Sequence, residues 1–324
     1  MTTTDKYMNP YTDFGFKKLF GTEANKDLLI DFLSQLLMRE QGEIRDITYL
    51  QNEHTGRSPE DRRAVFDLYC TNGRGEKFIV EMQRAKQNYF KDRSVYYASF
   101  PVQEQARTGN WDFQLQSVYF VGILDFVFEE NREDGEYFHH EVKLMEINRR
   151  KVFYDKLTFI YLEMPKFRKT ERELETHFDK WLYAIKHLSA LEQRPEKLRE
   201  RVFRRLFRIA EIACFTPDEA SAYEESLKHY RDLKNTIDTA KEEGWEKGRE
   251  EGEAIGLKKG EEIGLIKGKE MGREEGRKEG EAKGRLEEKT EIVLRCARQG
   301  LSVEAIAGIT GLPVEEITAI LKNS

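Results

Sequence analysis

The sequence predicts an α/β fold, one sheet flanked by helices, followed by an all-α C-terminal extension. Six short runs carry the sheet, at 44 to 52, 63 to 71, 77 to 83, 116 to 128, 138 to 147 and 157 to 163. They are rich in Val, Ile, Phe and Tyr and are bounded by Gly, Asn or Asp clusters, as strands are. Between the third and fourth runs lies YFKDRSVYYASFPVQEQARTG, which reads as a helix ending at Gly109 with Pro101 as a kink. After Pro165 the pattern is helical to about 240 and then becomes densely charged. The order helix, three strands, helix, strand makes a single sheet with helices against it the economical arrangement.

Each element has a local reason. Thr12-Asp13 precedes FGFKKLF, and from Asn25 the stretch LLIDFLSQLL repeats apolar residues at intervals of three and four. Thr216-Pro217-Asp218-Glu219 is an N-terminal helix signature. Between 166 and 208 there are 13 basic against 7 acidic residues. In PEKLRERVFRRLFRIAEIA, Leu198, Val202, Leu206 and Ile209 share one face, and Arg201, Arg204, Arg205 and Arg208 lie on others. That basic side is either a solvated helix face or a surface for phosphates.

Glycine then recurs every fourth residue from Gly244 to Gly284, with mostly Glu, Lys and Arg between. Each glycine inside a helix costs roughly 1 kcal/mol relative to alanine, so the set costs an isolated helix on the order of 10 kcal/mol. A period of four exceeds 3.6, and the stripe drifts by about 40° per repeat, so only a right-handed supercoil keeps it on one face. The two readings are a marginal, solvated spacer and a self-associating helix. The tail, EIVLRCARQGLSVEAIAGITGLPVEEITAILKNS, resembles a helix-turn-helix: Gly300 ends one helix, Ser302 caps Val303 to Ile309, and Gly311-Leu312-Pro313 turns into a third with Ile317, Ile320 and Leu321 inward. Glu315 and Glu316 open that third helix and oppose phosphate approach, which favours a packing or dimerising bundle over a DNA reader. The organisation is therefore a mixed domain at 1–165, a helical segment at 166–240, a Gly-every-fourth charged spacer at 241–285 and a small helical tail at 286–324.

Composition narrows the function. At 324 residues, 39% hydrophobic and 35% charged, the chain has room for one substantial core diluted by a solvated segment. The formal net charge of −6 argues against a generally basic nucleic-acid coat. Cys70, Cys214 and Cys296 form no C-x-x-C pair and indicate neither a disulfide framework nor a zinc site, which fits a reducing cytoplasm. The N-terminus lacks a signal-peptide pattern, and the most apolar stretch, SVYFVGILDFVF, is too short for a bilayer and contains Asp125, so a soluble protein is expected. Phosphate-loop, G-x-S-x-G, H-E-x-x-H and G-x-G-x-x-G motifs are missing, and the six histidines are scattered or, at His139 and His140, on opposite strand faces.

The residues FDLYCTNGRGEKFIVEMQ carry the chemistry. Asp67 and Glu81 stand in two strand runs joined by the turn Asn72-Gly73-Arg74-Gly75. Alternation places Ile79, Glu81 and Gln83 on one side of the second run and groups Val65, Asp67 and Tyr69 on the first. If the strands are antiparallel neighbours, the two carboxylates come close enough to share an ion. Without a cation they repel, raising one pKa. Magnesium resolves this, because it prefers hard oxygen ligands, keeps several waters, activates water and neutralises a phosphodiester. The rival reading pairs each carboxylate with an arginine, for which Arg62, Arg63 and Arg84 are at hand.

TDFGFKKLFG at 12 to 21, RRAVFDLYC at 62 to 70, FIVEMQ at 78 to 83, KDRSVYYAS at 91 to 99 and SVYFVGILDF at 117 to 126 together resemble the PD-(D/E)XK nuclease family transposases, or Rpn recombination-promoting nucleases. The blocks occur in family order over roughly the first 165 residues. The resemblance implies a restriction-endonuclease-like mixed sheet flanked by helices at 1–165 and magnesium-dependent DNA endonuclease activity, with Mn2+ as a substitute, linked to recombination or mobile elements. By it, Asp67 and Glu81 are metal ligands, and Gln83 stands where the wider superfamily has lysine. Lysine would add a positive charge beside the scissile phosphate, whereas glutamine orients only by hydrogen bonds. Arg84 or Lys86 could restore the charge only if the strand ended before them. Asp13 is a supporting carboxylate, and Arg201, Arg204, Arg205 and Arg208 are candidates for the DNA backbone. DNA, a second copy bound through the C-terminal region, no membrane and a cytoplasmic location complete the expectation. The alternative is a catalytically lapsed nuclease fold acting as a DNA-binding or oligomeric interaction protein.

Overall fold

The computed structural model describes residues 5–41, 44–54, 64–106 and 112–323. Gly109 and the arginines Arg62 and Arg63 lie outside them. The elements in chain order are α1 (Asp13–Phe20), α2 (Lys26–Gln41), β1 (Ile47–Tyr49), β2 (Glu53–His54), β3 (Ala64–Val65), β4 (Leu68–Asn72), β5 (Lys77–Gln83) and α3 (Phe90–Glu104). They continue with β6 (Val118–Leu124), β7 (His139–Glu146), β8 (Lys151–Glu163), α4 (His177–His187), α5 (Arg201–Ala210), α6 (Pro217–Arg298), α7 (Val303–Thr310) and α8 (Val314–Lys322). All six expected runs contribute to one mixed sheet, in the order β1-β4-β5-β6-β8-β7, while β2 and β3 form a separate pair. Strands β1, β4 and β5 are antiparallel, β5, β6 and β8 are parallel, and β7 returns antiparallel along β8.

The sheet is covered on both faces, so its central strands are mostly apolar, with Glu81 and Gln83 buried polar exceptions at the end of β5. Strand β6, VYFVGIL, is buried at every residue, as a central parallel strand is. Alternate residues divide between two cores. Leu68, Cys70, Phe78, Val80, Tyr119 and Val121 join the larger one, and Tyr69, Ile79, Phe120 and Tyr161 join the smaller one with Phe90 and Ala98 of α3. Trp181 of α4, Phe203 and Leu206 of α5 and Tyr223 of α6 lie in the larger core. The helical segment therefore shares its core with the sheet.

The chain divides into two compact units, Met1–Thr239 and Ala240–Ser324. In the second, the glycine stripe is helical from end to end. An added Cβ at any glycine from Gly244 to Gly284 would meet nothing within 4 Å. The tail follows its caps: Gly300 and Gly311 take φ of 83° and 67°, and the Ser302 hydroxyl accepts from Ala305 N–H. Val293, Ile306 and Ile317 bury its small core, with Ile320 and Leu321 against them.

Two boundaries differ from expectation. Helix α5 begins at Arg201 rather than near Pro195, and its buried face is Phe203, Leu206, Phe207 and Ala210, with Val202 and Ile209 only partly covered. Strand β8 starts at Lys151, earlier than its apolar run, because a hairpin with β7 continues past the rest of the sheet. Charged residues inside that hairpin hid it from an apolar criterion.

Candidate active site

The ladder between β4 and β5 stops at the Leu68–Val80 pair, and two carboxylates make the next rung. Met82 N–H donates to Asp67 Oδ2 at 2.8 Å, and Asp67 N–H donates to Glu81 Oε1 at 3.0 Å. The expected juxtaposition is therefore present, but with a bend at Asp67 that the strand pattern did not show. The bend places both Phe66 and Tyr69 in the smaller core and turns Asp67 toward the opposite side, where it lines a cavity of about 710 Å³.

Asp13, Lys17, Arg84 and Asn52 line this cavity with Asp67, and Glu219, Glu225, Ser226 and His229 close it from α6. Glu81 is not among the lining residues. It is 5% exposed and sits behind Asp67, facing Arg93 of α3 across 4.0 Å. Gln83 is also away from the cavity rim: its Oε1 accepts from Arg93, and its Nε2 donates to Ala85 carbonyl oxygen at 2.9 Å. Both ends of that amide are engaged, so Gln83 acts on its neighbours through Arg93. Gly122 is the β6 partner of Glu81. A Cβ there would stand 3.3 Å from Leu124 and Tyr161 side-chain carbons, so these side chains of the smaller core pack closely over the glycine beside Glu81.

The wall that carries Asp13 is built by the sequence around it. The Thr12 hydroxyl caps α1 by accepting from Gly15 N–H at 2.9 Å and donates to the Asn9 carbonyl at 2.8 Å. Gly15 is obligatory, since a Cβ would fall 2.2 Å from the Asn9 carbonyl oxygen. Helix α6 holds the same segment: Phe14 N–H donates to Ser226 Oγ at 3.1 Å and Asn9 N–H to the Tyr223 hydroxyl at 2.9 Å. Lys17, one turn beyond Asp13, reaches back to its carboxylate at 3.0 Å.

The electrostatics follow from burial. Glu81 is pushed up to about 8, first by burial and then by the charge of Asp67, against the Asp67 N–H, Arg93 and Lys17, which favour its ionised form. Burial also raises Asp67, and Asp13 adds to this, while Met82 N–H, Arg84 and Lys17 oppose it. The site thus holds carboxylates that repel one another, with Lys17 the cation common to both. One oxygen of each, Asp67 Oδ1 and Glu81 Oε2, carries no hydrogen bond among the described residues. No group of three or more His, Cys, Asp or Glu side chains among the described residues could hold a metal. Two carboxylates do not make a closed zinc-type cage, but they fit magnesium, which takes one or two carboxylates and completes its shell with waters and phosphate oxygens.

The family model of the PD-(D/E)XK nuclease family transposases matches residues 10–240, most of the chain. The chain belongs to this family. No curated protein and no solved structure matches it. The match runs through the helical segment that shares the sheet's core, and the mixed six-stranded sheet flanked by helices agrees with a PD-(D/E)XK nuclease-like fold.

Within this family frame Asp67 and Glu81 are adjacent, Asp13 joins Asp67 at the cavity, and Gln83 stays apart from it. Strand β5 ends at Gln83, so Arg84 leaves strand parity and reaches the cavity, whereas Lys86 pairs with Glu129 at 2.8 Å. Of the arginines on α5, Arg205 is tied to Asp27 at 3.2 Å, Arg201, Arg204 and Arg208 are exposed, and none lines the cavity. Sequence reasoning missed Lys17 and Arg93. The helical spacing of Asp13 and Lys17 in TDFGFKK was a usable signal for the first. Arg93 is brought in only by α3 packing on the sheet. Among the described residues no helix is long and apolar enough to cross a membrane.

Proposed function

We propose that the chain is a metal-dependent DNA endonuclease acting at Asp67 and Glu81, in a soluble, cytoplasmic setting linked to recombination or mobile elements. The observation that carries this reading is the rung of half-buried Asp67, which lines the cavity, and buried Glu81 behind it: each accepts a backbone N–H at one oxygen, Asp67 Oδ1 carries no hydrogen bond among the described residues, and Glu81 Oε2 faces Arg93 at 4.0 Å. Bound at those oxygens, Mg2+, or Mn2+ in its place, would activate a water and neutralise charge on a phosphodiester. Asp67 and Glu81 would hold the ion, and Asp13 would support it from α1.

Family membership supports DNA as substrate. Lys17 and Arg84 supply the positive charge that Gln83 cannot, Lys17 from a helix and Arg84 from just beyond the strand. Gln83 keeps Arg93 beside Glu81 and acts as a positioning residue. Exposed Arg201, Arg204 and Arg208 would contact the DNA backbone away from the cut. A second copy, joined through the C-terminal unit, would let two sites act on two strands.

Purified protein is incubated with supercoiled plasmid, with and without magnesium, beside Asp67→Ala and Glu81→Ala. Magnesium-dependent nicking by the wild type alone is the expected result. Equal nicking by all three preparations would assign the activity to contamination. Binding without nicking would favour the lapsed nuclease fold, a DNA-binding or oligomeric interaction protein.

A further inference from the structure

The hairpin of β7 and β8 outruns the sheet. Strand β6 begins opposite Leu157, so residues 144–154 stand as a two-stranded ribbon without a third neighbour. A two-stranded ribbon is marginal in water by itself, and this one exposes large apolar side chains at its end: Ile147 is 83% and Phe153 79% accessible. Between them the turn reads Asn148-Arg149-Arg150-Lys151. Glu146, the nearest acid, is spent on the turn, accepting from Asn148 N–H at 3.1 Å and Arg149 N–H at 2.8 Å. Arg149, Arg150 and Lys151 have no acidic partner among the described residues. Arg150 sits at φ 53°, a conformation that Gly or Asn adopts more cheaply, so a cation is kept there against backbone preference.

We propose that this ribbon is a DNA-binding arm that enters the minor groove of duplex DNA, with the three cations on the phosphates and groove floor and Phe153 or Ile147 as a wedge at a base step. Cations beside a projecting apolar side chain are the combination that minor-groove benders use. The choice of DNA over a protein partner follows from charge: in a chain of net charge −6, this tip carries three adjacent cations with no acidic partner. The proposal rests on the reading of DNA as substrate, and deepens it by placing a contact remote from Asp67 and Glu81.

The test uses the full chain in EDTA, so that hydrolysis plays no part, with a labelled duplex read by anisotropy across a salt series and by end-to-end energy transfer. The triple substitution Arg149→Ala, Arg150→Gly, Lys151→Ala is expected to weaken binding by about tenfold or more and flatten the log–log salt slope by about 2 to 3. Phe153→Ser with Ile147→Ser should keep the salt slope and lose the bend. Unaltered affinity and slope in the triple variant, with circular dichroism and melting as wild type, overturns the arm. Conversion of a dimer to a monomer by Phe153→Ser, with DNA affinity of the monomer intact, would make the ribbon a surface for a second copy and also overturns it. Asp67→Ala separates the two claims: it should bind like wild type and fail to nick. Arm-dependent binding by a wild type that never nicks would sustain the arm and defeat the endonuclease.

Discussion

Asp67 and Glu81 decide whether this fold performs chemistry. Without a cation, Glu81, pushed up to about 8, favours its neutral form in the folded protein. A carboxyl raised on folding contributes stability that is complete below its ordinary range and lost as pH rises through about 8. Melting of metal-free protein should therefore fall between about pH 4.5 and about pH 8 and level off above it, and Glu81→Gln should flatten that fall. An equal slope in the variant would show that Glu81 is not raised on folding. Lys17 lowers both carboxyls. Lys17→Met should cut plasmid nicking by about tenfold or more and move the acid limb of the pH–rate profile upward. A reduced rate with an unmoved limb would leave Lys17 with a role in packing alone. Strand alternation and the Asn72–Gly75 turn made the carboxylate pair legible in the sequence. The bend at Asp67, the close packing over Gly122 and the arrival of Arg93 were not, because each depends on which strand or helix packs next to it.

At the scale of elements, α1 is the least replaceable part of the site, since it carries Asp13 and Lys17 on little more than two turns. Thr12→Ala removes its cap and should cost about 1 kcal/mol in denaturant unfolding. Gly15→Ala forces a Cβ onto the Asn9 carbonyl and should cost about 1 to 3 kcal/mol, with a larger loss of nicking than of stability because Asp13 and Lys17 shift with the helix. Full activity in a folded Gly15→Ala protein would remove α1 from the site. TDFGFKKLFG announced this helix through its cap and its apolar spacing. The clamp from Tyr223 and Ser226 of α6, more than 200 residues away in the chain, had no local signature. The β7–β8 ribbon was half legible: the two apolar runs were seen, and the charged stretch that joins them was not.

For the whole molecule, the sequence distinguished a mixed domain, a charged repeat and a capped helical tail. What it could not show is that the repeat stays helical while its glycines touch nothing. The propensity cost predicts that such a helix gains from company, in keeping with the proposed second copy. Replacing Gly252, Gly260 and Gly268 by alanine should raise helicity of the chain and, if copies meet along the stripe, weaken association in sedimentation equilibrium. Higher helicity with unchanged association would assign the repeat to a solvated spacer.

Whether a divalent ion belongs between Asp67 and Glu81 is read by calorimetric titration of the folded chain with Mg2+ at about pH 7 in buffers of different ionisation enthalpy. Uptake accompanied by proton release is the expected result, since Glu81 is largely protonated there, with loss of both in Asp67→Asn and Glu81→Gln. Uptake that survives in both variants, or none in the wild type, would contradict it.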